Sequence, residues 1–282
     1  MTTSQHMVHA NGLRFRTLVD GPPAGELAIM LHGFPEGADS WVKQIDALAH
    51  AGTLAVAPDL RGYGLTDMPP NVEDYAIDKL IDDVAALIRA FGRESAHVAG
   101  HDWGALVAWF FASAHPEMTR SLTVLSVGHP AATAAAIRND EDQARRSEYI
   151  RLFLTPGNAE EVLSEGDSNR LRVMFGVMPR PAADMFIRSL SRPGRLTAGL
   201  NYYRANFGRG LDWWSRAHEV KVTAPTVLLW GDQDPALGRV QADTTADYMT
   251  GEYRLEVLEG AGHWLQFERP DEVSRALVDA VR

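Results

Sequence analysis

Five short apolar runs, at 27–31, 53–57, 96–99, 122–125 and 226–230, constrain what this chain can fold into more than any other feature. A strand with one wet face alternates apolar and polar residues, so unbroken apolar strands belong to a sheet covered on both faces. Segments of helical periodicity separate the runs. Trp41, Ile45 and Leu48 keep helical spacing up to Gly52, and Leu80, Ile81, Val84, Leu87 and Ile88 keep it across 78–91 up to Gly92. A third helix is predicted over 105–114, closed before Pro116. Strands at 7–10 and 13–20, joined by the hairpin dipeptide Asn11-Gly12, open the chain; a strand at 253–258 and a helix from Pro270 close it. The expected fold class is α/β, a mostly parallel sheet flanked by helices.

The rhythm breaks at Gly128-His129-Pro130. From there to about His218 the pattern is helical and rich in arginine, punctuated by Pro156, Pro179, Pro181 and Pro193. Residues 129–218 are therefore expected to form an inserted helical lid, and 1–128 with 219–282 the α/β core.

Composition excludes several function classes. The chain carries 37 acidic against 27 basic residues, a formal charge of −10, which disfavours binding to a phosphate backbone, so no nucleic-acid partner is expected. It has no cysteine, which removes disulfides, thiolate nucleophiles and cysteine-ligated zinc. The most apolar stretch, 103–112, is half the roughly 20 residues a membrane span needs. The first ten residues lack the charged-then-apolar pattern of a secretion signal, so a cytoplasmic location is the expectation. No feature decides between a monomer and a homodimer.

Gly100-His101-Asp102-Trp103-Gly104 lies between an apolar strand and an apolar helix, the setting of a nucleophile elbow, where small residues allow a turn that lifts the central side chain above the sheet. Taken alone, the five residues fit a loop aspartate capping a helix better than an elbow; their position between strand and helix reverses that preference. An aspartate is ionised at neutral pH and attacks an sp³ carbon without help from a base. His263, in Gly262-His263 after the last strand, is the candidate base for activating water. Asp234, in Gly231-Asp232-Gln233-Asp234-Pro235, is the candidate acid that orients it, with Asp232 the alternative turn cap. The order nucleophile, acid, histidine is that of α/β-hydrolases. His32-Gly33-Phe34-Pro35-Glu36 follows the strand at 27–31, so the Phe34 N–H, with that of Trp103, is the candidate oxyanion hole.

These motifs, with Pro58-Asp59-Leu60-Arg61-Gly62-Tyr63-Gly64 and Gly262-His263-Trp264, resemble those of the epoxide hydrolases of the α/β-hydrolase superfamily over residues 27–270. Haloalkane dehalogenases share the aspartate elbow. The resemblance implies two lid tyrosines that hold the epoxide oxygen: Tyr203 in Asn201-Tyr202-Tyr203-Arg204, and Tyr149 in Ser147-Glu148-Tyr149. It further implies attack by Asp102, an ester intermediate and its hydrolysis by water through His263 and Asp234. Phe34, Trp103, Tyr149 and Tyr203 are the expected substrate contacts, a small apolar epoxide and water the expected partners. No metal or organic cofactor is implied. A dehalogenase needs donors for a departing halide, which Trp103 could supply and Phe34, lacking a side-chain donor, could not. The absence of arginine from the helix at 105–114 speaks against an anionic substrate. A non-catalytic binding protein of the same fold would need neither nucleophile, acid nor base.

Overall fold

The computed structural model describes residues 3–208 and 220–282, in which eight strands form one sheet. Strands β1 (Ser4–Ala10), β2 (Leu13–Asp20), β3 (Leu27–Leu31), β4 (Leu54–Pro58), β5 (Ala96–His101), β6 (Thr119–Leu125), β7 (Thr226–Gly231) and β8 (Tyr253–Leu258) lie in the order β1-β2-β4-β3-β5-β6-β7-β8. Only the pairs β1–β2 and β2–β4 are antiparallel. Asn11 and Gly12 both adopt positive φ, 46° and 74°, as a two-residue hairpin turn matched to strand twist requires. β1 starts at Ser4, before the predicted residue 7. Its first residues are polar and exposed on the sheet edge, so ladder bonds to β2 rather than apolar burial hold them.

The helices are α1 (Val42–His50), α2 (Ile77–Ala90), α3 (Trp103–Ala114), α4 (Pro130–Asn139), α5 (Glu141–Arg146), α6 (Tyr149–Phe153), α7 (Asn158–Phe175), α8 (Arg180–Leu190), α9 (Arg195–Phe207), α10 (Arg239–Thr244), α11 (Leu265–Glu268) and α12 (Pro270–Ala280). The apolar strands divide their side chains between two cores, because successive residues point to opposite faces. Ile29, Val56, Val98, Val124 and Leu228 join the core shared with α2, α3 and the helices that follow β6. Met30, Ala55, Ala99, Leu125 and Leu229 join the one built with α1 and α12. α3 is apolar all round and buried from Trp103 to Ala112, the mark of a helix enclosed by protein. No helix among the described residues is long and apolar enough to cross a membrane.

Six helices, α4 to α9, fill the chain between β6 and the undescribed residues, on which the expected 218/219 boundary falls. α7 is interrupted at Glu165–Ser168, where Gly166, Asp167 and Ser168 take φ of 57°, 58° and 60°. Helical periodicity did not predict this break; the Gly-Asp-Ser run that forms it favours turns over helix interiors.

Ile29, fully buried on β3, and Met7, 45% exposed on the edge strand, give the sheet a quantitative test. Ile29→Ala should cost about 2–5 kcal/mol of stability, and Met7→Ala less than about 0.5 kcal/mol, in urea-unfolding midpoints.

Candidate active site

Asp102 stands between the end of β5 and the start of α3 with φ 51° and ψ −118°, a conformation non-glycine residues rarely adopt. Three glycines make it possible. A Cβ on Gly100 would lie 2.2 Å from the Gly104 carbonyl oxygen, and one on Gly104 2.0 Å from that of Leu31. A Cβ on Gly33 would lie 2.4 Å from that of Asp102. The turn thus needs backbones to meet where only glycine fits. Asp102 occupies the N-cap position of α3, yet its side chain makes no cap hydrogen bond. The carboxylate turns instead to the Phe34 N–H, which donates to Oδ1 at 2.9 Å, and to His263, whose Nε2 is 3.7 Å from Oδ2. A helix-capping aspartate would do neither, so the elbow geometry prevails over the capping alternative.

His263 Nδ1 lies 2.7 Å from Asp234 Oδ2. The other oxygen of Asp234 accepts the Ala236 and Leu237 N–H groups at 2.8 and 3.0 Å, which fixes the carboxylate and through it the imidazole. Asp232 instead accepts the Gly260 N–H, as a turn cap does. Burial alone would lower the His263 pKa; Asp234 and Asp102 on its two sides more than offset this and hold it well above its ordinary value. Burial raises the Asp102 carboxyl, and His263 outweighs that, leaving it below the usual carboxylate range. The protonated imidazole and the ionised Asp102 thus favour one another. Trp103 is the first residue of α3, so its N–H has no intrahelical acceptor.

A cavity of about 440 Å³ opens above Asp102 and His263. Tyr149 and Tyr203 form part of its wall, their ring centroids 6.4 Å apart. Burial first, then the charge of Asp102, raises both phenols above their ordinary pKa, so each is a hydroxyl donor at neutral pH. Phe34, Leu152, Phe153, Leu163 and Met174 make the remaining wall largely apolar. The Trp103 ring lies elsewhere, lining a smaller cavity of about 40 Å³ behind Tyr203, 5.0 Å from the tyrosine ring. Tyr202 is fully buried and donates to the Arg61 carbonyl at 3.0 Å, a structural role. Among the described residues no cluster of three or more His, Asp or Glu side chains could hold a metal ion.

Two features were not legible from the motifs. Glu36 and His101 form a fully buried pair, Oε2 to Nδ1 at 2.9 Å, and the other nitrogen of His101 faces the His263 carbonyl at 2.9 Å. The same Glu36 oxygen accepts the Gly33 N–H at 3.3 Å, so one side-chain pair connects the loop after β3 to the loop that carries His263. A glutamate in an otherwise apolar, Gly-Pro loop was the available signal, since a buried acid needs a partner. Second, Arg146 and Arg170 line the cavity from α5 and α7. Two arginines thus border the cavity although α3 carries none.

A family model described as alpha/beta hydrolase fold matches residues 28–270. Epoxide hydrolase A of Mycobacterium tuberculosis is 35% identical over 315 residues, spanning 98% of this chain and 96% of that protein. Epoxide hydrolase 3 of Xenopus tropicalis is 34% identical over 299 residues, spanning 100% of this chain and 80% of that one. Among solved structures, Epoxide Hydrolase A from Mycobacterium thermoresistibile is 34% identical and matches with a TM-score of 0.88 over 99% of this chain and 98% of that one.

Because Asp102 is one of the two anions that raise the His263 pKa, Asp102→Asn should lower it, leaving burial opposed by Asp234 alone. An NMR titration of the imidazole in both proteins measures the shift; an unchanged pKa would mean that Asp102 and His263 are not coupled.

Proposed function

The chain belongs to the α/β-hydrolase fold family, among its epoxide hydrolases, and from that premise we propose that it hydrolyses an apolar epoxide to a vicinal diol through an ester on Asp102. The observation that carries this reading is the pair of protonated phenols, Tyr149 and Tyr203, on the wall of the cavity that also holds the ionised Asp102. A departing halide accepts hydrogen bonds but needs no proton. An epoxide does, because its oxygen becomes an alkoxide as the ring opens.

In the proposed sequence Tyr149 and Tyr203 donate hydrogen bonds to the epoxide oxygen. An Asp102 oxygen attacks one ring carbon; the carbon–oxygen bond breaks, and a phenol protonates the departing alkoxide. The product is a hydroxyalkyl ester, and Asp102 has lost its charge. His263 then faces one carboxylate instead of two, so its pKa falls and its proton can pass to the phenolate. Now neutral and held by Asp234, His263 takes a proton from water as the oxygen attacks the ester carbonyl. The Phe34 and Trp103 N–H groups stabilise the tetrahedral oxyanion. Collapse expels the diol alkoxide, which takes a proton from His263; the carboxylic acid left on Asp102 then gives its own proton to His263, so Asp102 returns as a carboxylate and His263 as an imidazolium. The substrate contacts are then Tyr149, Tyr203 and the apolar wall around Phe34, with the Trp103 ring one layer behind.

His263→Gln should trap the ester, since ring opening does not need the base. Intact-protein mass should then rise by the whole mass of the epoxide, and Asp102→Asn should abolish the gain. Tyr203→Phe or Tyr149→Phe should slow ester formation, and the double variant by about 100- to 10,000-fold. A gain of an alkyl group without halide, from a haloalkane and not from epoxides, would move the chain to the dehalogenases. No adduct from either class would favour a binding protein.

A further inference from the structure

Tyr149 and Tyr203 sit on different helices and meet directly, with a hydrogen bond between their side chains and ring centroids 6.4 Å apart, and the Arg204 side chain ties those helices together. α6, which begins at Tyr149, is only five residues long and ends at Phe153. A helix of that length does not hold itself together in water, and its last carbonyls lack intrahelical donors. Arg204, directly after Tyr203 on α9, supplies one: its Nε donates to the Phe153 carbonyl at 3.1 Å. The rest of the guanidinium is clamped. Nη1 and Nη2 reach the two oxygens of Glu160 at 2.8 and 2.9 Å, in the two-point geometry that arginine offers and lysine cannot.

Glu160 is itself fixed from two further directions. It accepts the Gly157 N–H at the start of α7 at 2.9 Å and the Thr197 hydroxyl of α9 at 2.9 Å. Burial pushes its carboxyl up, but Arg204 and the other donors bring it down to about 2, so it is ionised throughout the neutral range. One guanidinium thus joins α6, α7 and α9. The Phe153 ring completes the connection, packing 5.1 Å from Tyr149 and 4.9 Å from Tyr203.

We propose that Arg204, held by Glu160, is a positioning residue for ring opening: it caps α6 at the Phe153 carbonyl and so sets the spacing of the two phenols that hold the epoxide oxygen. The inference rests on the proposed epoxide chemistry. Arg204 touches neither Asp102 nor His263, so it serves the step that uses the phenols and not the step that uses the base.

The test separates the two steps in the His263→Gln background, where the ester accumulates. With an aryl epoxide such as styrene oxide, adding Arg204→Gln should slow ester formation by about 10- to 100-fold, the scale of a misplaced catalytic group. Once excess epoxide is removed, the slow residual breakdown of the ester should be unchanged. Glu160→Gln keeps the guanidinium on Phe153 and offers it a neutral acceptor; it should slow ester formation less, again without touching breakdown, and it serves if Arg204→Gln does not fold. Ester formation at the parent rate in either folded variant would overturn the assignment and leave the proposed reaction standing. Parallel slowing of both steps would overturn it too, because it would mean general damage to the site. No ester in the parent background itself would remove the proposed reaction, and the positioning role with it.

Discussion

The approach of three backbone segments around Asp102 is the constraint on which the rest of this structure depends. The end of β5, the loop after β3 and the first turn of α3 meet where Gly33, Gly100 and Gly104 leave no room for a Cβ. That contact forces the positive φ of Asp102, and the positive φ lifts its carboxylate out of the helix cap and into the cavity. The sheet exists to hold this junction. Strands β3 and β5 are direct neighbours, and their apolar residues, buried on both faces, hold the two loops side by side. Strain at one residue is stable because its surroundings over-determine it.

Charge is arranged with the same economy. Two carboxylates flank one imidazole at distances of 2.7 and 3.7 Å, so the ionisation of each depends on the others. The phenols above are kept protonated partly by burial and partly by that same Asp102 anion. A change in the charge of Asp102 therefore alters both the imidazole below and the phenols above. Behind this group, Glu36 and His101 tie the two loops by a buried pair that never reaches the cavity.

What could be read from the sequence divides along physical lines. The apolar strands, the elbow and the order of Asp102, Asp234 and His263 were legible because local chemistry dictates them: burial on two faces needs unbroken apolar runs, and a sharp turn needs glycine. The choice of Asp234 over Asp232 was legible too, and hydrogen bonds now separate them as histidine partner and turn cap. The polar start of β1 and the break in α7 were not, since the first is held by ladder bonds and the second by a three-residue turn inside a helical pattern. The placing of Arg146 and Arg170 on the cavity wall, and of the Trp103 ring behind Tyr203, depends on how the helices after β6 pack across the core. Periodicity gives the faces of such helices but not their mutual orientation.

α3 has a further consequence, which lies in its field. The helix runs 12 residues, is enclosed by protein from Trp103 to Ala112, and begins at the side chain that carries the site's negative charge. Its aligned peptide dipoles amount to roughly half a positive charge at that end. Buried as it is, this pole is only weakly screened by dissolved ions. It favours every state in which Asp102, or an oxyanion built upon it, is negative, and gives nothing to a neutral ester. A covalent intermediate on this residue would sit at the one point of the cycle that the helix does not favour, between two anionic states that it does. Such a site would be biased against resting as the ester.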